Sequence, residues 1–339
     1  MSTKELRIGL IGGGGMGLYH AVNFHTRISV TRVAGFFEPD DSRADAVREK
    51  CGNPERFNDP LQLINSDKID AIVITSPDVT HAKFAQACVE IKKPVFCEKP
   101  LAVDLDSAVS ILAKENAIGK KYLSVGFQRR FDPYHREVKR IRDEGKLGKP
   151  LLWKGVHRNV EAMYNTQGAF ILVNSAGHDV DSARWLLGSD VKNIFVKGLK
   201  SRQDLSEDSR DLLTLNMEME NGTLGIAEVF VNAGYAYEVM AELVFQKGTA
   251  ETGHADKALV RSENLRGVYM SGDFRGYFSE AYLEEMFDWT ESVIQDKPFS
   301  GACAWDGYAA LCVTLAGAAS LQEGKVVPVQ MIPKPNLYK

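Results

Sequence analysis

Short apolar runs recur along the first 125 or so residues, separated by longer segments with helical spacing. RIGLIG, SVTRVAGFF, DAIVIT, PVFCEK and KYLSVG carry little internal polarity, as strands of a parallel sheet do when both faces are buried. Between them the spacing predicts helices over Ser42–Lys50, Val79–Ile91 and Leu105–Asn116. Asp104 is a good N-cap for the third, and Gly119 lies just beyond its end. Strands alternating with helices predict βαβ units and a doubly wound parallel sheet, an α/β fold.

Beyond residue 125 the texture changes. A basic helical segment, Tyr134–Glu144, leads into longer strand candidates: LLWKGVHRN, VKNIFVKGL, LLTLNMEME, GTLGIAEVFVN and YEVMAELVFQ. Several are joined by glycine-containing turns such as Asn221-Gly222, so a mostly antiparallel sheet is expected. Helices are predicted at Gly177–Leu187, Tyr282–Gln295 and Trp305–Glu323. The chain therefore divides at about residue 125 into a doubly wound domain, 1–125, and an α+β domain, 126–339.

Composition narrows the function without naming it. The 339 residues, 44% hydrophobic and 25% charged, suffice for two ordinary globular cores. A formal charge of −4 with no basic block disfavours nucleic acid or an anionic membrane as the main partner. The apolar stretch near the N-terminus stops at glycine after about five residues, too short for a signal-peptide core or a membrane span. The five cysteines (Cys51, Cys88, Cys97, Cys303, Cys312) show no CxxC or Cys/His metal spacing. Reduced thiols in a cytoplasmic protein without a metal site are the plain expectation.

The first strand runs into Gly12-Gly13-Gly14-Gly15-Met16-Gly17, which holds GxGxxG at Gly12, Gly14 and Gly17. Such a turn needs glycine to bend, then to admit a pyrophosphate, then to let helix pack on strand, with the helix N-terminus facing the phosphates. About 20 residues further on the second strand ends at Glu38, where a carboxylate holds ribose hydroxyls and repels a 2′-phosphate. Pro39 follows it rather than an arginine, so NAD is expected in preference to NADP. Glu38 as a plain helix cap is the alternative.

Ligands of open α/β sheets sit beyond the carboxyl ends of the strands. Two such ends carry Thr75-Ser76-Pro77 and Glu98-Lys99-Pro100. A lysine there is a natural donor to a substrate oxygen, although an EK dipeptide is usually a surface pair. With these pieces in view, the chain resembles the glucose–fructose oxidoreductase and inositol dehydrogenase family along almost its whole length. The likeness lies in the glycine turn, in Thr75-Ser76-Pro77 with His81, and in Cys97-Glu98-Lys99-Pro100. It continues in Gly126–Asp132, in Gly177-His178-Asp179-Val180-Asp181 and in Arg184–Gly188. His157-Arg158-Asn159, Glu228–Val239 and Gly301–Ala310 are similar to inositol 2-dehydrogenases in particular.

The resemblance implies an NAD-dependent oxidation of a secondary hydroxyl of a cyclitol or sugar, foremost myo-inositol to its 2-ketone. It implies Lys99 and His178 as catalytic residues, with His178 as the base. The cofactor would lie against Gly12, Gly14, Gly15, Met16, Gly17, Glu38, Thr75, Ser76, Pro77, His81, Glu98 and Lys99. The polyol would meet Arg129, His157, Asn159, Asn174, His178 and Tyr237 or Tyr235. The second domain would form an open sheet for substrate binding and assembly, as a homotetramer or homodimer.

One position departs from the family pattern. Many members carry an aspartate four residues before the histidine, where this chain has Asn174. An asparagine orients a ring by hydrogen bonding but supplies no charge, which makes a weaker base. Asp181, three residues after His178, is a candidate substitute. Among the other histidines, His20 and His81 are expected to pack or cap near the nucleotide loop, and His25, His135 and His254 to lie at the surface or in loops. Trp153, Phe230 and Phe245 sit in strand patterns and read as core. Rival functions are another sugar or cyclitol substrate (scyllo-inositol, an anhydrosugar, a keto-sugar), an NAD-dependent glycosidase, and a nucleotide-sensing regulator without turnover.

Overall fold

A computed structural model describes residues 5–162, 165–253, 259–262 and 265–339. The first strands are β1 (Leu6–Ile11), β2 (Thr31–Phe37), β3 (Glu55–Arg56), β4 (Ala71–Ile74), β5 (Val95–Glu98) and β6 (Leu123–Gly126). Next come β7 (Pro150–Arg158), β8 (Val191–Leu199), β9 (Leu212–Met219), β10 (Leu224–Phe230), β11 (Glu238–Phe245) and β12 (Gly248–Glu251). Last are β13 (Leu259–Ser262), β14 (Leu265–Val268), β15 (Ala302–Cys303) and β16 (Val327–Pro328).

The chain forms two compact units. The first holds a seven-stranded sheet in the order β15-β6-β5-β4-β1-β2-β3. Strands β1 to β6 are parallel and β15 adds antiparallel at the β6 edge. The order reverses at β1, the topological switch point where doubly wound sheets bind their ligands. β4, β5 and β6 are buried at every position, which explains why they read as continuous apolar runs. The Leu105–Ile118 helix has its N-cap Asp104 accepting from the Ser107 N–H, and its stop Gly119 is left-handed at φ 77°. The expected Val79–Ile91 helix is present, opening as a 3₁₀ turn over Asp78–Thr80 and continuing as an α-helix over His81–Glu90.

A single cut near residue 125 does not describe these units. The first contains residues up to Phe127 and then regains Tyr282–Leu311 and Ile332–Lys339; the second is Gln128–Ala281 with Cys312–Met331. The physical reason lies in one face of the first sheet. Met286 and Trp289, from the Ser279–Ile294 helix, are buried in the core formed by Ile8, Leu10, Phe24, Val33, Phe36 and Phe96. The Trp289 ring stands edge-on to Phe24 and to Phe96, each at 5.9 Å, a favoured aromatic geometry. A returning helix of this kind leaves no mark on a linear reading of the chain.

The second unit is built on the order β12-β11-β7-β10-β9-β8-β16. All neighbours are antiparallel except β7 with β10. Alternate residues of β9 and β11 are buried, the signature of a sheet covered on one face. The covering includes the Gly177–Leu187 helix, in which Val180, Ala183, Leu186 and Leu187 are buried, as is Trp153 of β7. Gly155 is required here: a Cβ would stand 2.2 Å from the Trp153 ring. The opposite face carries Leu199, Leu224 and Ile226, each at least 43% exposed. No described helix is long and apolar enough to cross a membrane.

Candidate active site

In the first unit the glycine turn is shaped by backbone contacts. Gly12 has φ +98°, and a Cβ on it would lie 2.7 Å from the Ser76 nitrogen. A Cβ on Gly17 would lie 1.9 Å from the Gly12 carbonyl oxygen, so that position admits glycine alone. At Gly14 a Cβ would meet nothing within 4 Å. Gly14 therefore answers to no packing need of the protein, as the position facing a pyrophosphate should not. It caps the Gly15–Thr26 helix, whose first N–H groups suit phosphate oxygens. Gly15 is exposed and Met16 half-buried at the same end.

Glu38 ends β2 with its carboxylate tied to backbone. It accepts from the Gly13 N–H at 2.6 Å and from the Asp40 N–H at 3.0 Å. The cap of the next helix is Asp40, which accepts from the Arg43 N–H. Arg56, which the sequence reading passed over, donates to the Glu38 and Pro39 carbonyls and to Asp41. The strand end is thus braced from below, and a carboxylate with two N–H partners keeps lone pairs for ribose hydroxyls.

The neighbouring strand ends are joined in the same manner. Thr75 donates to the Gly12 carbonyl at 2.7 Å. The Ser76 and Thr80 hydroxyls are 2.6 Å apart, and Pro77 is exposed between them. Lys99 is half-buried at the end of β5, and the Lys99–Pro100 peptide is cis. Glu98 is buried with Oε1 2.7 Å from Nε2 of His20, itself fully buried. Burial pushes the Glu98 carboxyl up, but His20 and then Lys99 and His81 hold it below the usual carboxylate range. His81 lies between two backbone carbonyls. Both histidines thus bond into the strand ends, where the sequence leads one to expect them to pack or cap.

The second unit concentrates charge in its interior. Asp179, fully buried, accepts from Arg129 Nη1 at 2.7 Å with one oxygen and lies 2.9 Å from His157 Nδ1 with the other. Burial opposes ionisation of Asp179, but Arg129 and His157 hold its pKa below the ordinary value. Burial likewise opposes the Arg129 charge, and Asp179 and Tyr237 more than offset it. The buried Tyr237 hydroxyl is pushed up, and its ring stands edge-on to His157 at 5.8 Å. Oδ1 of Asn159 is a buried polar atom with no partner among the described residues, and Nε and Nη2 of Arg129 have none beyond the adjacent Tyr237 hydroxyl. Such atoms are costly unless something else pairs with them.

His178 is buried in the first turn of the Gly177–Leu187 helix, and Asn174 is half-buried in the π-helical turn Leu172–Ala176 just before it. Their four-residue spacing therefore crosses an irregular turn of a kind enriched at functional sites.

Several expectations change. Tyr235 is 55% exposed and joins Arg158 and Glu238, whereas Tyr237 joins the buried cluster. Asp181 gives both oxygens to Arg130, at 2.6 and 2.9 Å, because that guanidinium matches it edge to edge. His135 is buried, not superficial, with Nδ1 2.7 Å from Asp132. His254 lies outside the described residues. Trp153 and Phe245 are core, while Phe230 is half-buried on the open face. Asp179, the hub of the cluster, is marked in the sequence only by its place next to His178.

A doubly wound sheet with a glycine turn and an acidic second-strand end defines a dinucleotide-binding protein, and the open Gly14 position and helix N-terminus fit such a cofactor. The model of an oxidoreductase family with an NAD-binding Rossmann fold matches residues 6–127, and that of the GFO/IDH/MocA C-terminal domain matches 135–251. The chain belongs to this family of NAD-dependent oxidoreductases. It is 36% identical to an inositol 2-dehydrogenase of Rubrobacter xylanophilus over 99% of this chain and 97% of that one. It is 37% identical to inositol 2-dehydrogenase 2 of Saccharopolyspora erythraea over 98% of each. Its fold matches the crystal structure of myo-inositol dehydrogenase from Lactobacillus casei in complex with NAD(H) and myo-inositol, at a TM-score of 0.93 and 26% identity, covering 99% and 100% of the two chains.

Proposed function

We propose that the protein oxidises one secondary hydroxyl of a cyclitol, foremost myo-inositol, to the ketone with NAD. The observation that carries this reading is the buried polar cluster of the second unit. The Arg129 guanidinium, with more N–H groups than Asp179 takes up, and the Asn159 oxygen offer donors and an acceptor to adjacent hydroxyls, as a site built for hydroxyls must. Two full-length relatives named as inositol 2-dehydrogenases point to the same substrate class.

NAD, when bound, supplies the hydride acceptor, with Glu38 and the glycine turn as its holders. Thr75, Ser76 and Pro77 shape the edge of that site. His178 takes the hydroxyl proton, and Asn174 orients its ring without adding charge. Lys99 serves as a donor to a substrate oxygen on which negative charge develops. Arg129, His157, Asn159 and Tyr237 bind the remaining hydroxyls; Tyr235 is left out because it serves the exposed Arg158 network. The same reading assigns self-association, as a homodimer or homotetramer, to the open sheet face with Leu199, Leu224 and Ile226. The cytoplasmic assignment draws on five free thiols.

Absorbance at 340 nm with NAD or NADP, across inositol isomers and aldoses, tests the reaction in wild type and Lys99→Ala. Oxidation of myo-inositol with NAD that disappears in the variant is the expected result. Turnover of an aldose but no cyclitol would overturn the substrate. Sedimentation of wild type beside Ile226→Lys tests the assembly.

A further inference from the structure

We infer that His81 is a positioning residue of the reaction, holding the Ser76–Pro77 turn and the Lys99–Pro100 turn at a set spacing; this rests on the roles proposed for those turns. His81 is 1% exposed and opens the His81–Glu90 helix. Its Nδ1 lies 2.7 Å from the Pro100 carbonyl oxygen and its Nε2 2.8 Å from that of Ser76. The ring therefore spans the ends of β4 and β5, which are neighbours in the sheet.

A histidine held only by packing needs one acceptor for its single N–H, and its second nitrogen accepts or stays in apolar surroundings. Here both nitrogens meet carbonyl oxygens, which only accept. A neutral ring satisfies one of them, and both are satisfied only when the ring carries two N–H groups. Crowding a second acceptor onto the ring is an expense that packing does not require, and it makes sense where two backbone segments must be kept in register.

The bonds on either side extend the brace. Thr80 Oγ1 donates to the Pro77 carbonyl at 2.7 Å, so residues 76–80 form one tied turn. Thr75 links that turn to Gly12. On the other side, His20 of the glycine-turn helix holds Glu98, next to Lys99. Lys99 is thereby flanked by two anchored residues, Glu98 held by His20 and Pro100 held by His81. Misplacement of a reacting group by about 1 Å costs on the order of 10²-fold in rate, so a loosened Pro100 carbonyl should appear in kcat.

The test compares wild type, His81→Leu and His81→Gln. In His81→Leu, kcat should fall on the order of 10²-fold, while the Kd for NAD, measured by calorimetry without substrate, stays within about threefold. His81→Gln keeps a donor and should recover about tenfold of the lost kcat. A raised Kd for NAD with kcat retained would make His81 a cofactor contact and overturn the inference. So would a lower Tm with unchanged kcat per folded enzyme, the mark of packing alone. A second readout needs no turnover: in NAD-bound protein, amide exchange should quicken in His81→Leu within both 76–80 and 99–104. Exchange that quickens in one segment or neither overturns the inference. A wild type that oxidises no inositol isomer would sink the proposed substrate, and the exchange comparison would still decide the role of His81.

Discussion

The two units build the parts proposed to face ligands from different material. In the first, the glycine turn and strand ends are mostly backbone: N–H groups at a helix start, carbonyls bridged by Thr75 and His81, and a carboxylate tied to Gly13. In the second, the cluster is made of side chains, with Arg129, His157 and Tyr237 gathered about a buried carboxylate. Backbone groups suit a constant partner such as a dinucleotide, since any sequence that makes the turn presents them. Side chains suit a substrate that must be told from its isomers, because each is a separately chosen donor or acceptor. The cost also differs. The turn demands glycine, which weakens the chain only modestly, whereas the cluster buries ions that are stable only as a set.

That contrast breaks most visibly in the rate. Lys99→Ala or His178→Ala should lower kcat by about 10²–10⁴-fold, with NAD still bound, as steady-state kinetics and calorimetry would show. If either variant keeps near wild-type kcat, its chemical role is wrong.

Next in size is the cluster. Asp179→Asn leaves Arg129 buried without its carboxylate and should cost about 3–5 kcal/mol of stability, read from denaturant unfolding. The pH dependence has a definite sign. Asp179 is held below the ordinary 3.8 in the folded protein. Its contribution is thus complete above that value and is lost as pH falls through the lower folded value. Asp179→Asn should flatten this part of the acid limb of the stability curve.

A smaller effect divides the glycines. Gly17→Ala drives a methyl into the Gly12 carbonyl and should cost about 1–3 kcal/mol. Gly14→Ala meets no protein atom, so its Tm should hold while NAD binding weakens about tenfold, or ~1.4 kcal/mol. Equal destabilisation by both would remove the distinction between a packing glycine and a ligand-facing one. Smallest is Asn174→Asp: a carboxylate there favours the protonated His178 ring, so the acid limb of the kcat profile should move to higher pH. An unmoved limb would mean that residue 174 does not act on His178.

Much of the first unit was legible in advance because its signals are local. Parallel strands buried on both faces show as apolar runs, Asp104 and Gly119 bracket a helix, and the glycine turn is a contiguous motif. The bridging of Glu98 by His20 was not, since the two are 78 residues apart. Nor was the choice between Tyr235 and Tyr237, because turn geometry after β10 sends one outward and the other inward. His135 reads as polar from sequence and is buried because Asp132, its own helix cap, receives its Nδ1.

By itself the sequence determined what depends on neighbours along the chain: the alternation of strand and helix, the glycine turn, the acidic end of β2 and the family motifs. Only the tertiary structure decided the return of Tyr282–Leu311 to the first unit, the pairing of Asp179 with Arg129 and His157, and the bridge of His81 between two strand ends. The physical reason is the range of each force. Backbone propensity and periodicity act over a few residues, whereas burial lets any segment fill an apolar face, and a buried charge must find its partner wherever the fold brings one.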